Sequence, residues 1–128
     1  MADNSVITIH RRELLTQITS GGSSSMPHII MIAFGDGGTD NAGNPIPPLE
    51  TATALLHQLA LYEIDSVEYP APTTARYIAT IPPDDLSGAI INEAALVDTA
   101  GGIHAIRTMY DKRKDGGVSF TFTFDDEF

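Results

Sequence analysis

With 128 residues and 42% hydrophobic content, the chain supports one compact core, so a single domain over 1–128 is expected. Seventeen acidic residues against 7 Lys plus Arg leave a formal charge of −10, a field that repels phosphate backbones and excludes nucleic acid as a partner class. The absence of cysteine removes disulfides, thiolate metal sites and a cysteine nucleophile. No apolar run approaches the roughly 20 residues of a membrane-spanning helix, and Met1-Ala2-Asp3-Asn4 has no basic segment leading into an apolar one, so a soluble protein made in a reducing cytosol is expected.

Residues 1–7 read as an extended arm. Thr8 then caps a helix whose Leu14, Leu15 and Ile18 stack inward while Arg11, Arg12, Glu13 and Gln17 face water. The helix ends by Ser20, and Gly21 to Ser25 forms an exposed connector. Pro27 to Phe34 is apolar on both faces, the pattern of a central strand. Gly35 to Pro48 is a long loop rich in Gly, Pro, Asp and Asn. Leu49 to Leu56 predicts a short second helix with Ala52, Leu55 and Leu56 inward; periodicity leaves open whether it continues to Tyr62 or yields to a strand.

From Glu63 the texture is β. Ile64, Val67 and Tyr69 mark one strand and Thr74 to Ile81 another, with Pro70-Ala71-Pro72 connecting them. Ala89 to Val97 and Ile103 to Tyr110 flank a turn at Asp98 to Gly102, giving a hairpin or meander, and Lys112 to Gly117 a further hairpin connection. Finally Val118, Phe120, Phe122 and Phe124 alternate with Ser119, Thr121 and Thr123, a strand with one packed and one wet face. The expected class is α+β, two helices packed on a mainly antiparallel sheet.

Candidate sites each meet a plain objection. Asp36, Asp40, Asn41 and Asn44 are calcium-type ligands, but a calcium loop opening at Asp36 meets Pro47 where it needs its twelfth-position acid. Gly35-Asp36-Gly37-Gly38 lacks the Gly-Lys-Ser/Thr of a phosphate loop. His10, His28, His57 and His104 lack zinc-ligand spacing, and no serine sits in a nucleophile elbow. Hence no cofactor, metal or catalytic residue is expected. Glu93, flanked by Ile90, Ile91, Ala94, Ala95 and Leu96, is read as a buried carboxylate that holds structure, through an ion pair with Arg107 or Arg76 or by capping a turn. Its catalytic alternative needs a cleft and a second acid.

The order Val6-Ile7-Thr8, helix, strand ending Ala33-Phe34-Gly35-Asp36-Gly37-Gly38, prolines, Leu55-Leu56-His57, Tyr77 to Pro83, Gly88, Ile91-Asn92-Glu93-Ala94-Ala95-Leu96-Val97-Asp98, Gly102 and Ala105-Ile106 resembles the N-terminal domain of tail-fibre (tail-collar) proteins from contractile-tailed phages. The resemblance spans nearly the whole chain. It implies a structural, non-enzymatic part of a virion tail, assembled in the host cytoplasm, that attaches a fibre to baseplate proteins, commonly as a trimer. Because the sequence ends at Phe128 without shaft, coiled coil or tip, the expectation is a fibre adaptor, a baseplate-periphery protein or an attachment domain of a phage-like contractile particle. The alternatives are a receptor- or glycan-binding module and, behind it, a small enzyme using Glu93. Candidate protein contacts are the basic clusters Arg11, Arg12 and Arg107, Lys112, Arg113, Lys114, together with Asp36 and Asp40 of the long loop.

Overall fold

A computed structural model, describing residues 4–128, places these elements along the chain: β1 (Ser5–Ile7), α1 (Ile9–Thr19), β2 (Ile29–Gly35), β3 (Gln58–Glu63), β4 (Ser66–Ala71), β5 (Thr74–Ile81), β6 (Ile90–Asp98), β7 (Ile103–Arg113) and β8 (Phe120–Glu127). The strands form two antiparallel sheets, one of five in the order β1-β7-β6-β2-β3 and one of three in the order β4-β5-β8. The expected α+β class with two helices is therefore corrected to a mostly β sandwich carrying one 11-residue helix among the described residues.

Period-two patterning explains the sandwich. Phe122 and Phe124 of β8 and Ala79 and Ile81 of β5 face Ile32 and Phe34 of β2, Ile91, Ala94 and Leu96 of β6, and Ala105 and Met109 of β7 in one buried cluster. Phe34 meets Phe122 edge to face at 5.5 Å between ring centroids, the geometry aromatic quadrupoles favour. Ser119, Thr121 and Thr123 are exposed as their alternation requires. Residues 91 to 98 of β6 are buried without a break, because the outer face of the large sheet is covered as well. There Ala33, Ala95, Val97, Ile103 and Ile106 pack against Leu55.

Leu55 belongs to the segment expected to be the second helix, which instead lies as an irregular cover across that face. Leu49 O accepts only from Ala52 N, a single turn. Ile9 N–H captures the Glu50 carbonyl at 2.7 Å, and the Leu56 and His57 amides are donated to Glu93. With the Glu50 carbonyl and the Leu56 amide bonded outside the segment, and at a length where isolated helix is unfavourable, the helix does not form. Leu55 is buried, but Leu56, expected inward, is 68% exposed. The chain then yields to a strand, β3, which resolves the question left open at Tyr62.

Thr8 caps α1 as expected, its hydroxyl accepting from Arg11 N at 3.3 Å; such caps are worth about 1 kcal/mol. Its own N–H bonds the His104 carbonyl at 3.0 Å, tying the helix start to β7. Arg11, expected to face water, is buried, because its guanidinium reaches Asp126 of β8 at 2.7 Å. Of the arm expected at 1–7, residues 5–7 pair with Ala105, Ile106 and Arg107 as edge strand β1, while residues 1–3 lie outside the described residues. Pro70 stands inside β4, tolerated because β4 is an edge strand whose pairing breaks between Glu68 and Ala71. The strand expected from Ile103 to Tyr110 runs on to Arg113, so Lys112 and Arg113 are paired with Ile91 and Ile90 instead of standing in a hairpin loop.

Candidate functional site

The glycine-rich turn after β2 and the strand β6 are locked together by two adjacent side chains. Glu93 accepts three backbone amides, from Gly37 at 2.9 Å, Leu56 at 2.9 Å and His57 at 2.8 Å. Neither Arg107 nor Arg76, the expected partners, is used: Arg76 pairs with Asp125 at 2.8 Å, and Arg107 lies over the Phe122 ring at 5.8 Å. The capped-turn alternative for Glu93 is what forms. Asn92 accepts from Gly38 N at 2.7 Å and donates to the Asp36 carbonyl, Thr39 Oγ1 and Asp111 Oδ1. Gly35 and Gly38 are required by this approach, since a Cβ at either would drive into the His57 carbonyl and the Glu93 carboxylate, or into the Asn92 carbonyl. The Glu93 oxygens are thus taken up by main-chain donors and the residue is 1% exposed.

The sequence-named contact residues scatter. Arg12 is exposed and pairs with Glu50 at 3.1 Å. Asp36 bonds the His57 ring, and this contact raises the His57 pKa above its usual value. Asp40 caps its own loop by accepting from Ala42 N and Asn44 N, the local turn chemistry that Asp and Asn supply. Lys112 is exposed and Arg113 sits 3.7 Å from Asp115. Arg11 and Lys114 are not free surface charges. Lys114 is 1% exposed, its Nζ donating to the Pro83 and Asp115 carbonyls. Arg12, Asp36, Asp40, Arg107, Lys112 and Arg113 retain exposure.

The fold also makes a constellation that sequence spacing does not reveal. His10 in the first turn of α1, Asp98 at the end of β6 and His104 on β7 bring His10 Nε2, Asp98 Oδ2 and His104 Nε2 within 4.8 Å of one another. The Asp98–His10 contact is 3.2 Å and the Asp98–His104 contact 2.8 Å. The other carboxylate oxygen, Oδ1, accepts Ala100 N and Gly102 N at 2.9 and 2.8 Å, so the hairpin turn sets the carboxylate's orientation. Gly102 is needed here, because a Cβ would collide with the His10 ring.

Burial works to raise the Asp98 pKa, but the hydrogen bonds from His104, Gly102, His10 and Ala100 together outweigh it and hold the carboxyl below its usual range. For His104 burial dominates and lowers the pKa, Asp98 opposing it and Arg11 adding to it. The one sequence signal available was Asp98 and His104 flanking a Gly101-Gly102 turn; His10 is remote in sequence and meets them only because Thr8 docks on β7.

His104 also lines an open groove of about 670 Å³ together with Arg11, His28, Val67, Tyr69 and Tyr77. Tyr69 is 77% exposed. Three buried polar atoms in this region have no partner among the described residues: Arg11 Nε, His104 Nδ1 and Asp126 Oδ1. No helix among the described residues is long and apolar enough to cross a membrane. No protein-family model matches the chain, and no curated protein matches its sequence.

Proposed function

We infer that the chain is a non-enzymatic attachment domain of a phage tail or phage-like contractile particle, joining a fibre to baseplate proteins or serving as the adaptor between them. The observation that carries this reading is the Asn92–Glu93 lock. The segments on which the resemblance rests, Gly35 to Gly38 and Ile91 to Asp98, touch each other through a dense set of main-chain bonds. Such residues define a rigid frame: Glu93 borders a small apolar pocket beside Leu55 and Leu56, but both of its oxygens accept main-chain amides, whereas a catalytic carboxylate needs a free oxygen. Assembly also needs open edges. β4 is an edge strand whose six residues are all exposed, with Val67 and Tyr69 among them.

The reading is tested by removing the gene from a producing strain and imaging the particles. Fibre-less particles are expected, with the chain present in wild-type particles and the purified protein a trimer by light scattering. Normal fibres on particles that contain none of this chain overturn the reading. The groove favours a second reading, a glycan-binding module, because Tyr69 and Tyr77 supply the aromatic faces that sugar recognition uses. Specific retention on a glycan array, lost in Tyr69→Ala, selects that reading.

A further inference from the structure

We propose that His10, Asp98 and His104 form a zinc site that clips α1 to the β6–β7 hairpin, with water completing the coordination. The donor set is two imidazole nitrogens and one carboxylate oxygen, which suits Zn²⁺ and not the oxygen-seeking Ca²⁺ or Mg²⁺. Zn–N and Zn–O bonds of about 2.0–2.1 Å place tetrahedral ligand atoms about 3.3 Å apart. His10 Nε2 and Asp98 Oδ2 already stand at 3.2 Å. His104 Nε2 stands at 2.8 Å from the same oxygen, so this contact opens by about half an ångström around a metal, while the two imidazoles, within 4.8 Å of each other, draw in to the same spacing.

The surroundings are those of a ligand set. Oδ1 of Asp98 is held by two backbone amides, leaving Oδ2 to face both imidazoles, the arrangement by which outer hydrogen bonds orient a ligating carboxylate. His104 Nδ1 is buried without a partner among the described residues. The Asp98 carboxylate, an acceptor only, holds the proton on Nε2 in the metal-free chain, and with Nδ1 unbonded that proton can pass to Nδ1 when Nε2 binds metal. The His10 side chain is 38% exposed, giving the ion an entry path and an open position for water. The site rests on these three residues alone, so it stands independently of the attachment role.

The experiment uses the full chain stripped with chelator and titrated with zinc chloride in a calorimeter, alongside His10→Ala and, as control, His57→Ala. His57 is the other histidine beside a carboxylate, at Asp36. One equivalent of Zn²⁺ is expected to bind wild type and His57→Ala alike, with a melting temperature raised by roughly 5 °C at saturation. His10→Ala is expected to bind about 100-fold more weakly or not at all. Absence of binding to wild type overturns the proposal, as does equal binding by His10→Ala. Should His10→Ala fail to fold, cobalt(II) added to wild type decides: visible absorption of a nitrogen-ligated tetrahedral site supports the proposal, and the spectrum of hexaaquo cobalt overturns it.

Discussion

Replacing Glu93 by Gln tests whether the carboxylate is a structural lock. The side chain is isosteric, so no cavity opens; the change lies in acceptor count and charge. In the native chain Oε2 accepts Gly37 and His57 and Oε1 accepts Leu56. Glutamine can keep its single oxygen at the doubly bonded position, but its amide NH₂ then faces the Leu56 N–H, donor against donor. Orphaning that buried donor costs about 1–3 kcal/mol, and losing charge assistance on the two surviving bonds adds about 0.5–1 kcal/mol each. The sum, about 2–5 kcal/mol, is a large fraction of the roughly 5–15 kcal/mol that stabilises a domain, and corresponds to a fall in melting temperature of about 8–20 °C. Urea unfolding followed by circular dichroism measures it. A change below about 0.5 kcal/mol, the range of an unconstrained surface substitution, refutes the lock and returns Glu93 to the pool of catalytic candidates.

Three further outcomes follow from buried or paired groups. Arg11→Leu breaks the Arg11–Asp126 pair at 2.7 Å and leaves a buried carboxylate, so a loss of about 3–5 kcal/mol is expected; Arg11→Leu with Asp126→Leu recovers most of it in a double-mutant cycle. Phe122→Ala removes the ring packed against Phe34 and Phe124 and is expected to cost about 3–5 kcal/mol in denaturant unfolding. Tyr62 has its phenol pushed up to about 12 by burial, then by the hydrogen bond to Asp85. Its contribution to stability is complete below the unfolded phenol value near ~10 and is lost as pH rises towards the folded one, because the unfolded chain releases its proton first. Urea midpoints should therefore fall less between those limits in Tyr62→Phe than in wild type, and identical slopes would count against the assignment.

Local patterns carried much of the architecture. The Thr8 cap is a contact between neighbours three residues apart, and the bounds of β5 and the inward set Phe122 and Phe124 follow from side-chain alternation; signals of that kind are complete within a few residues. The turn at Asp98 to Gly102 and the burial of Glu93 were legible for the same reason, one from glycine chemistry and the other from an acid set in an apolar run. What the sequence could not determine depended on partners far along the chain. Leu49 to Leu56 has passable helical spacing, yet Glu93, 37 residues beyond Leu56, takes its amide, and a long-range bond of this strength overrides a weak local preference. Arg11 sits on a face that reads as wet until Asp126, 115 residues away, arrives beside it. His10 and His104 have no common spacing because one is brought by a helix and the other by a strand. Composition and alternation decide which surfaces seek burial; only the assembled sandwich decides which donors meet which acceptors, because hydrogen bonds and ligand sets depend on positions to within a fraction of an ångström.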